Sequence, residues 1–127
     1  YLVYHDGAAR APPRSLADYL CAEHLTVQYE PRRRLDIDQW IAERGHRRRF
    51  AATVPGFAGI AAFLRGSRFL ATLPGLLRAN LLRGFAVAEP PFACPPMPMY
   101  MVWHLRQHDD PLPRWLRAEL DAVARAV

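Results

Sequence analysis

The stretch Thr53-Val54-Pro55-Gly56-Phe57 sets a hydroxyl, a Pro-Gly turn and an aromatic ring where a strand gives way to a helix. A helix start carries free amides and the positive end of the helix dipole, so such a loop suits a carboxylate or nitro oxygen. Thr53 would add a hydroxyl and Phe57 an aromatic wall. The plainer alternative is an ordinary strand–turn–helix junction with Phe57 in the core. Two basic triplets, Arg32-Arg33-Arg34 and Arg47-Arg48-Arg49, have fork-shaped guanidiniums that can clamp an anion bidentately. Each triplet is more simply read as a solvated face.

Catalytic and metal chemistry find less support. Cys21-x-x-His24 stands alone, and Cys21 reads as a small apolar packing residue. His104-x-x-x-His108 has the spacing of one helical face, but the stretch reads as strand then loop, which spoils a metal site. Asp109-Asp110 before Pro111, and Asp36 with Asp38, read as helix-start residues with favourable dipole charge. GxSxG, Walker and GxGxxG patterns are absent from the sequence. No catalytic residue, metal ligand or cofactor is expected, and the chain is not read as an enzyme.

The elements that must position the loop alternate in type. Tyr1–His5 is strand-like, and Ser15 with Asp18 forms a capping box opening a helix to about Cys21. Leu25–Tyr29 reads as a strand and Leu35–Arg44 as a helix stopped at Gly45. Phe50–Val54 is a strand, Phe57–Leu64 a helix ending at Gly66, and Phe69–Leu73 a further strand. Pro74 is placed to open a helix with Leu76, Leu77 and Leu81 inward and Gly84 as its stop. Phe85–Ala88 is a short strand. Five prolines between Glu89 and Pro98 demand an extended crossing. Met99–Leu105 reads as a strand, and an amphipathic helix follows Pro111 with Leu112, Trp115, Leu116, Leu120 and Val123 on one face.

Such alternation predicts an α/β fold with a mainly parallel sheet and a ligand cleft beyond the carboxyl ends of the strands. That rule points to Tyr29-Glu30-Pro31, Thr53 to Phe57, and Thr72 to Pro74. The expected cleft residues are Thr53, Pro55, Gly56, Phe57 and Thr72, with Gln28 beside them.

Composition sets outer bounds. The 127 residues, 51% hydrophobic and 23% charged, suffice for one domain with a real core. All 17 basic residues are arginine, and with the many alanines and 12 prolines this reads as GC-rich coding bias. A net charge of +5 favours anionic partners. Two distant cysteines indicate neither a disulfide framework nor zinc, which fits a reducing cytoplasm. The longest uncharged run, Phe50–Leu64, is too short for a bilayer, so no membrane partner is expected. Tyr1 is not a natural start, and an upstream domain or signal is expected before it.

Four segments in register resemble one family. The opening strand with Ser15-Leu16-Ala17-Asp18-Tyr19 looks like the strand, His-Pro and helix that open the second lobe of LysR-type effector domains. Thr53–Phe57 resembles the T-V-P-S-F loop of that family. Gly66 to Pro74 resembles its G-T-D-L-I-A-T-L-P segment. Val102-Trp103-His104 and Asp110-Pro111-x-x-Arg114-Trp115-Leu116-Arg117 resemble the returning strand and closing helix. The branch most similar contains nodulation and aromatic-catabolism regulators.

The resemblance implies a periplasmic-binding-protein-like (type II) fold with two α/β lobes and a small-molecule cleft between them. Residues 1–14 would be a strand of lobe one and hinge, 15–96 lobe two, and 97–127 the return strand and closing helix of lobe one. It implies a bacterial, cytoplasmic transcription regulator that binds a small effector, aromatic or acidic in character. Promoter DNA would be held by a helix-turn-helix not present in this chain, in a homodimer or homotetramer. A transport-type periplasmic solute-binding protein of the same fold is the alternative, and direct nucleic-acid binding by the arginine triplets is a third reading. Three departures stand out: Gly56 replaces a hydroxyl residue, Arg68 an acidic one, and Tyr29–Asp36 lacks the glycines common there.

Overall fold

A computed structural model describes residues 1–30 and 33–126. They fall into two compact units divided between Met97 and Pro98.

The first unit is a three-layer α/β arrangement. Its strands are β1 (Leu2–His5), β2 (Glu23–Tyr29), β3 (Arg33–Arg34), β4 (Arg49–Val54), β5 (Leu70–Leu73) and β6 (Ala86–Ala88). Its helices are α1 (Leu16–Cys21), α2 (Asp36–Glu43) and α3 (Phe57–Leu64). The sheet runs β4–β2–β5–β1–β6, with β3 extending β2 at its carboxyl end. The predicted alternation holds, but the sheet is mixed rather than mainly parallel. β2 pairs in parallel with β4 and β5, whereas β1 runs antiparallel to both β5 and β6. The opening strand, expected in lobe one, therefore hydrogen-bonds between two strands expected in lobe two.

Side chains that alternate along the strands feed two cores. On one face Tyr4, Leu25, Val27, Val54, Ala71 and Leu73 pack with Ile60 and Leu64 of α3 and with Leu82. On the other, Val3 and Leu70 meet Tyr19 of α1, with Phe92 and Ala88 against them. Gly59 lets α3 lie close on β4, because a Cβ there would stand 3.3 Å from that of Val54. The three glycines expected to stop helical segments, Gly45, Gly66 and Gly84, all adopt positive φ (78°, 69° and 92°), the region glycine enters without strain. The Ser15 cap is as predicted: its Oγ accepts the Asp18 N–H at 3.1 Å, and the Asp18 carboxylate accepts the Arg14 N–H.

Several expectations need correction. After Pro74 the chain forms a 3-10 turn, Gly75–Ala79, rather than an α-helix. Leu76 and Leu81 are exposed while Leu82 is buried: the 3-10 turn ends at Ala79, and beyond it the Leu82 N–H reaches back to the Leu77 carbonyl at 2.9 Å, a wider loop than an α-turn. Cys21 is exposed at the end of α1 rather than packed. Leu35, not an aspartate, is the N-cap of α2.

The second unit contains a 3-10 turn, Leu105–Gln107, and α4 (Pro111–Arg125). Met99–Leu105 is not a strand: residues 99–104 have no regular structure, and no strand pairs with them among the described residues. An extended segment without a ladder partner leaves its amides to water. His104 caps the 3-10 turn, its Nδ1 accepting the Arg106 N–H. Asp110 occupies the N-cap of α4, but its side chain makes no cap hydrogen bond. The apolar face of α4 is present as predicted, and Leu112, Trp115, Leu116, Leu120 and Val123 are exposed. Among the described residues no helix is long and apolar enough to cross a membrane.

Candidate functional site

At the carboxyl ends of β2 and β5, where parallel strands deliver their loops, lies a cavity of about 350 Å³. Its apolar walls are Tyr1, Tyr29 and Phe57, with Pro74 and Met97; its polar groups are Glu30, Arg33, Arg34 and Asp36. Each is positioned by a local rule. Phe57 is the first residue of α3, directly after the extended N-cap Gly56, which sets it at the carboxyl end of β4. It meets Tyr29 edge to face, with centroids 6.2 Å apart and planes at 84°, a favoured aromatic geometry. Pro74 is anchored from below by the Tyr4 hydroxyl, which donates to the carbonyls of Pro74 and Gly75 at 2.9 and 3.1 Å. Arg34 is held opposite Gln28 and Arg33 opposite Tyr29 in the short β2–β3 ladder.

The electrostatics are mixed. Arg33 lies 3.7 Å from Asp36, both largely exposed, so the pair is screened and weak. Burial, reinforced by the Asp36 charge, pushes the Tyr1 phenol above its ordinary value, which keeps it a neutral donor. Aromatic walls of this kind suit a planar ring, and the Arg33 and Arg34 guanidiniums suit an anionic group.

Of the six residues expected at the cleft, Phe57 alone lines this cavity. Gln28 is half-buried one residue before Tyr29 on β2, and its backbone holds Arg34. Thr53 is exposed on β4 beside Thr26 of β2. Pro55 is exposed in the turn, and Gly56 caps α3 with open space where a Cβ would stand. Thr72 is turned away: it is 2% exposed, and its hydroxyl is 2.6 Å from that of Tyr19 beneath α1.

Thr72 belongs to a buried polar chain instead. The Arg48 guanidinium donates to Asp38 at 2.5 Å and to the Tyr19 hydroxyl at 3.2 Å. Thr26 donates to the other Asp38 oxygen through a very short contact. Arg48 and Asp38 side chains are 2% and 1% exposed, so the second triplet is not one solvated face. Arg47 is exposed, Arg49 pairs with Glu23 at 3.2 Å, and Arg48 is interior. The first triplet contributes Arg33 and Arg34 to the cavity; Arg32, like Pro31, lies outside the described residues.

No local pattern marks Tyr1, Leu35, Asp36 or Met97 as lining, and Asp36 reads in the sequence only as a helix-start charge. Tyr1 is found only once β1 is known to run against β5, which puts its first residues beside the carboxyl ends of the parallel strands. Among the described residues no group of three or more His, Cys, Asp or Glu is placed to hold a metal.

A sequence profile described as the LysR substrate binding domain matches residues 1–125. The chain is 29% identical over 113 residues to nodulation protein D 1 of Sinorhizobium fredii, covering 85% of this chain and 35% of that protein. It is 26% identical over 114 residues to the HTH-type transcriptional activator NagR of a Ralstonia species, covering 88% and 38% respectively. Among solved structures it is similar to the regulatory domain of MexT, a transcriptional activator in Pseudomonas aeruginosa. That match has a TM-score of 0.73 and 29% identity, with 94% of this chain and 60% of that one covered. The chain thus spans about a third of the length of the curated relatives it matches.

Proposed function

The chain belongs to the family of LysR substrate-binding domains, and we propose that it senses an aromatic, anionic small molecule at the cavity between Tyr29 and Phe57. Its fold is the α/β, periplasmic-binding-protein-like (type II) fold typical of that family. A binding family, not a catalytic one, makes it a sensor rather than an enzyme. One observation carries the ligand assignment: three aromatic side chains and two arginines converge on one cavity at the strand ends. Aromatic walls favour a planar ring, and guanidinium forks favour a carboxylate over a neutral group.

In the full-length protein, occupancy of this cavity would shift the equilibrium between two arrangements of a homodimer or homotetramer. A helix-turn-helix outside this chain would then grip promoter DNA differently, a coupling that requires the effector to prefer one arrangement. The names of the relatives, an HTH-type activator among them, support that role and a cytoplasmic location. Gln28, Thr53, Pro55 and Gly56 take part as the surrounding frame of Phe57 and Arg34, not as lining.

Calorimetric titration of the chain with benzoate and salicylate, set against benzyl alcohol and benzylamine, tests the assignment. The two carboxylates should bind and the neutral and cationic rings should not. A ligand-bound structure with the carboxylate remote from Phe57 and Arg34 would falsify it.

A further inference from the structure

At the opposite end of the same sheet, around the amino ends of β2 and β4, lies a second cleft of about 600 Å³. Arg10, Arg14, Arg49 and Arg68 line it, against only Asp18 and Glu23. Both carboxylates are already engaged. Asp18 accepts the Arg14 backbone N–H and completes the cap of α1, while Glu23 pairs with Arg49 at 3.2 Å. The side chains of Arg10, Arg14 and Arg68 have no carboxylate within ion-pair distance among the described residues.

Their proximity is built in rather than incidental. Arg10 donates from Nε to the Ala11 carbonyl and from Nη1 to the Arg68 carbonyl, each at 3.0 Å. These bonds tie the loop after β1 to the turn before β5 and hold Arg10 beside Arg68. Burial, with the repulsion of Arg68, lowers the Arg10 pKa from its ordinary value. A chain that fixes like charges together without counter-charges gains from whatever anion neutralises them.

We propose that this cleft binds a small, multiply charged oxyanion, phosphate or polycarboxylate, independently of the aromatic cavity. Concavity favours a compact ligand: loop 10–14, the end of α1 and the starts of β2, β4 and β5 surround it. A duplex would demand an open basic face instead.

The test is calorimetric titration of the chain with pyrophosphate and, separately, citrate at low ionic strength. At least one should bind saturably, and which one binds identifies the phosphate or the polycarboxylate class. Arg68→Asp and Arg10→Gln should each weaken binding by about tenfold or more. Phe57→Leu, and Arg33→Gln with Arg34→Gln, should leave it unchanged. The Arg68 side chain is exposed, so its variant keeps the test sound even if Arg10→Gln perturbs the loop. No saturable binding of either anion overturns the proposal. So does equal loss in the Arg33/Arg34 variant, or duplex DNA binding more tightly than pyrophosphate.

Discussion

Arg48 and Asp38 meet 2.5 Å apart with their side chains 2% and 1% exposed, joining the start of β4 to the first turn of α2. Thr26 donates to the second Asp38 oxygen and the Tyr19 hydroxyl accepts from Arg48, so both charged groups have further protein partners. Removing the cation strands a carboxylate in the interior. Arg48→Met should therefore cost about 3–5 kcal/mol, read from urea unfolding. Adding Asp38→Leu should recover part of the loss, because the stranded charge goes with it. A cost below about 1 kcal/mol for the single variant would remove the pair from any structural role.

His24 makes the fold acid-sensitive. It is fully buried, its Nε2–H donates to the Tyr19 carbonyl at 2.8 Å, and Nδ1 has no partner among the described residues. Burial, with the nearby Arg48 and Arg10 charges opposing protonation, lowers its pKa from 6.5 to about 4. The neutral ring thus contributes stability in full above pH 6.5, and that contribution is lost as pH falls from 6.5 toward 4. The slope is about 1.4 kcal/mol per pH unit. His24→Gln should flatten the stability profile in this window by about one proton; an unchanged slope rules the histidine out as its source.

Phe57 is half-buried, so shortening it should affect binding more than folding. Phe57→Leu preserves an apolar packing group but loses the edge-to-face contact with Tyr29. Affinity for benzoate should fall about tenfold, with a thermal midpoint close to that of the wild type. Intact affinity would place the ring outside the binding wall.

Gly56 caps α3 at φ −168°, extended backbone that any residue adopts, and a Cβ added there would meet nothing within 4 Å. Gly56→Ser should be accommodated and should stabilise by a few tenths of a kcal/mol through a cap hydrogen bond. Because Gly56 does not line the cavity, affinity for benzoate should stay unchanged. A lower thermal midpoint would contradict the open geometry.

Local chemistry made the helix starts and stops readable: the Ser15 cap, the glycines at 45, 66 and 84, and the Pro55-Gly56 turn all follow from single residues. The strand-end rule located the aromatic cavity through Phe57 and the Tyr29 loop. Thr72 lies off the cavity because alternation along β5 sets it on the face of Leu70, where its hydroxyl meets that of Tyr19; the strand-end rule alone does not say which face that is. Arg48 misled for a related reason, since a run of like charges gives no sign that Asp38, ten residues earlier, waits for one of them. Tyr1 is invisible as lining until the direction of β1 is known. The strand expected at Met99–Leu105 failed because extended propensity without a partner makes no ladder.

The antiparallel seat of β1 also sets an order of events for the growing chain. Val3 pairs with Thr72 and with Ala88, and Tyr4 fills the main core, yet both precede these neighbours in the chain. During synthesis this apolar strand emerges long before either neighbour exists and cannot take its place until residue 88 has left the ribosome. Closing such a span is slow, and an unpaired apolar strand is open to wrong partners meanwhile. The nascent chain should consequently be vulnerable to aggregation at β1 while β5 and β6 are still to come, and a holding chaperone that engages Leu2–His5 should raise its folded yield.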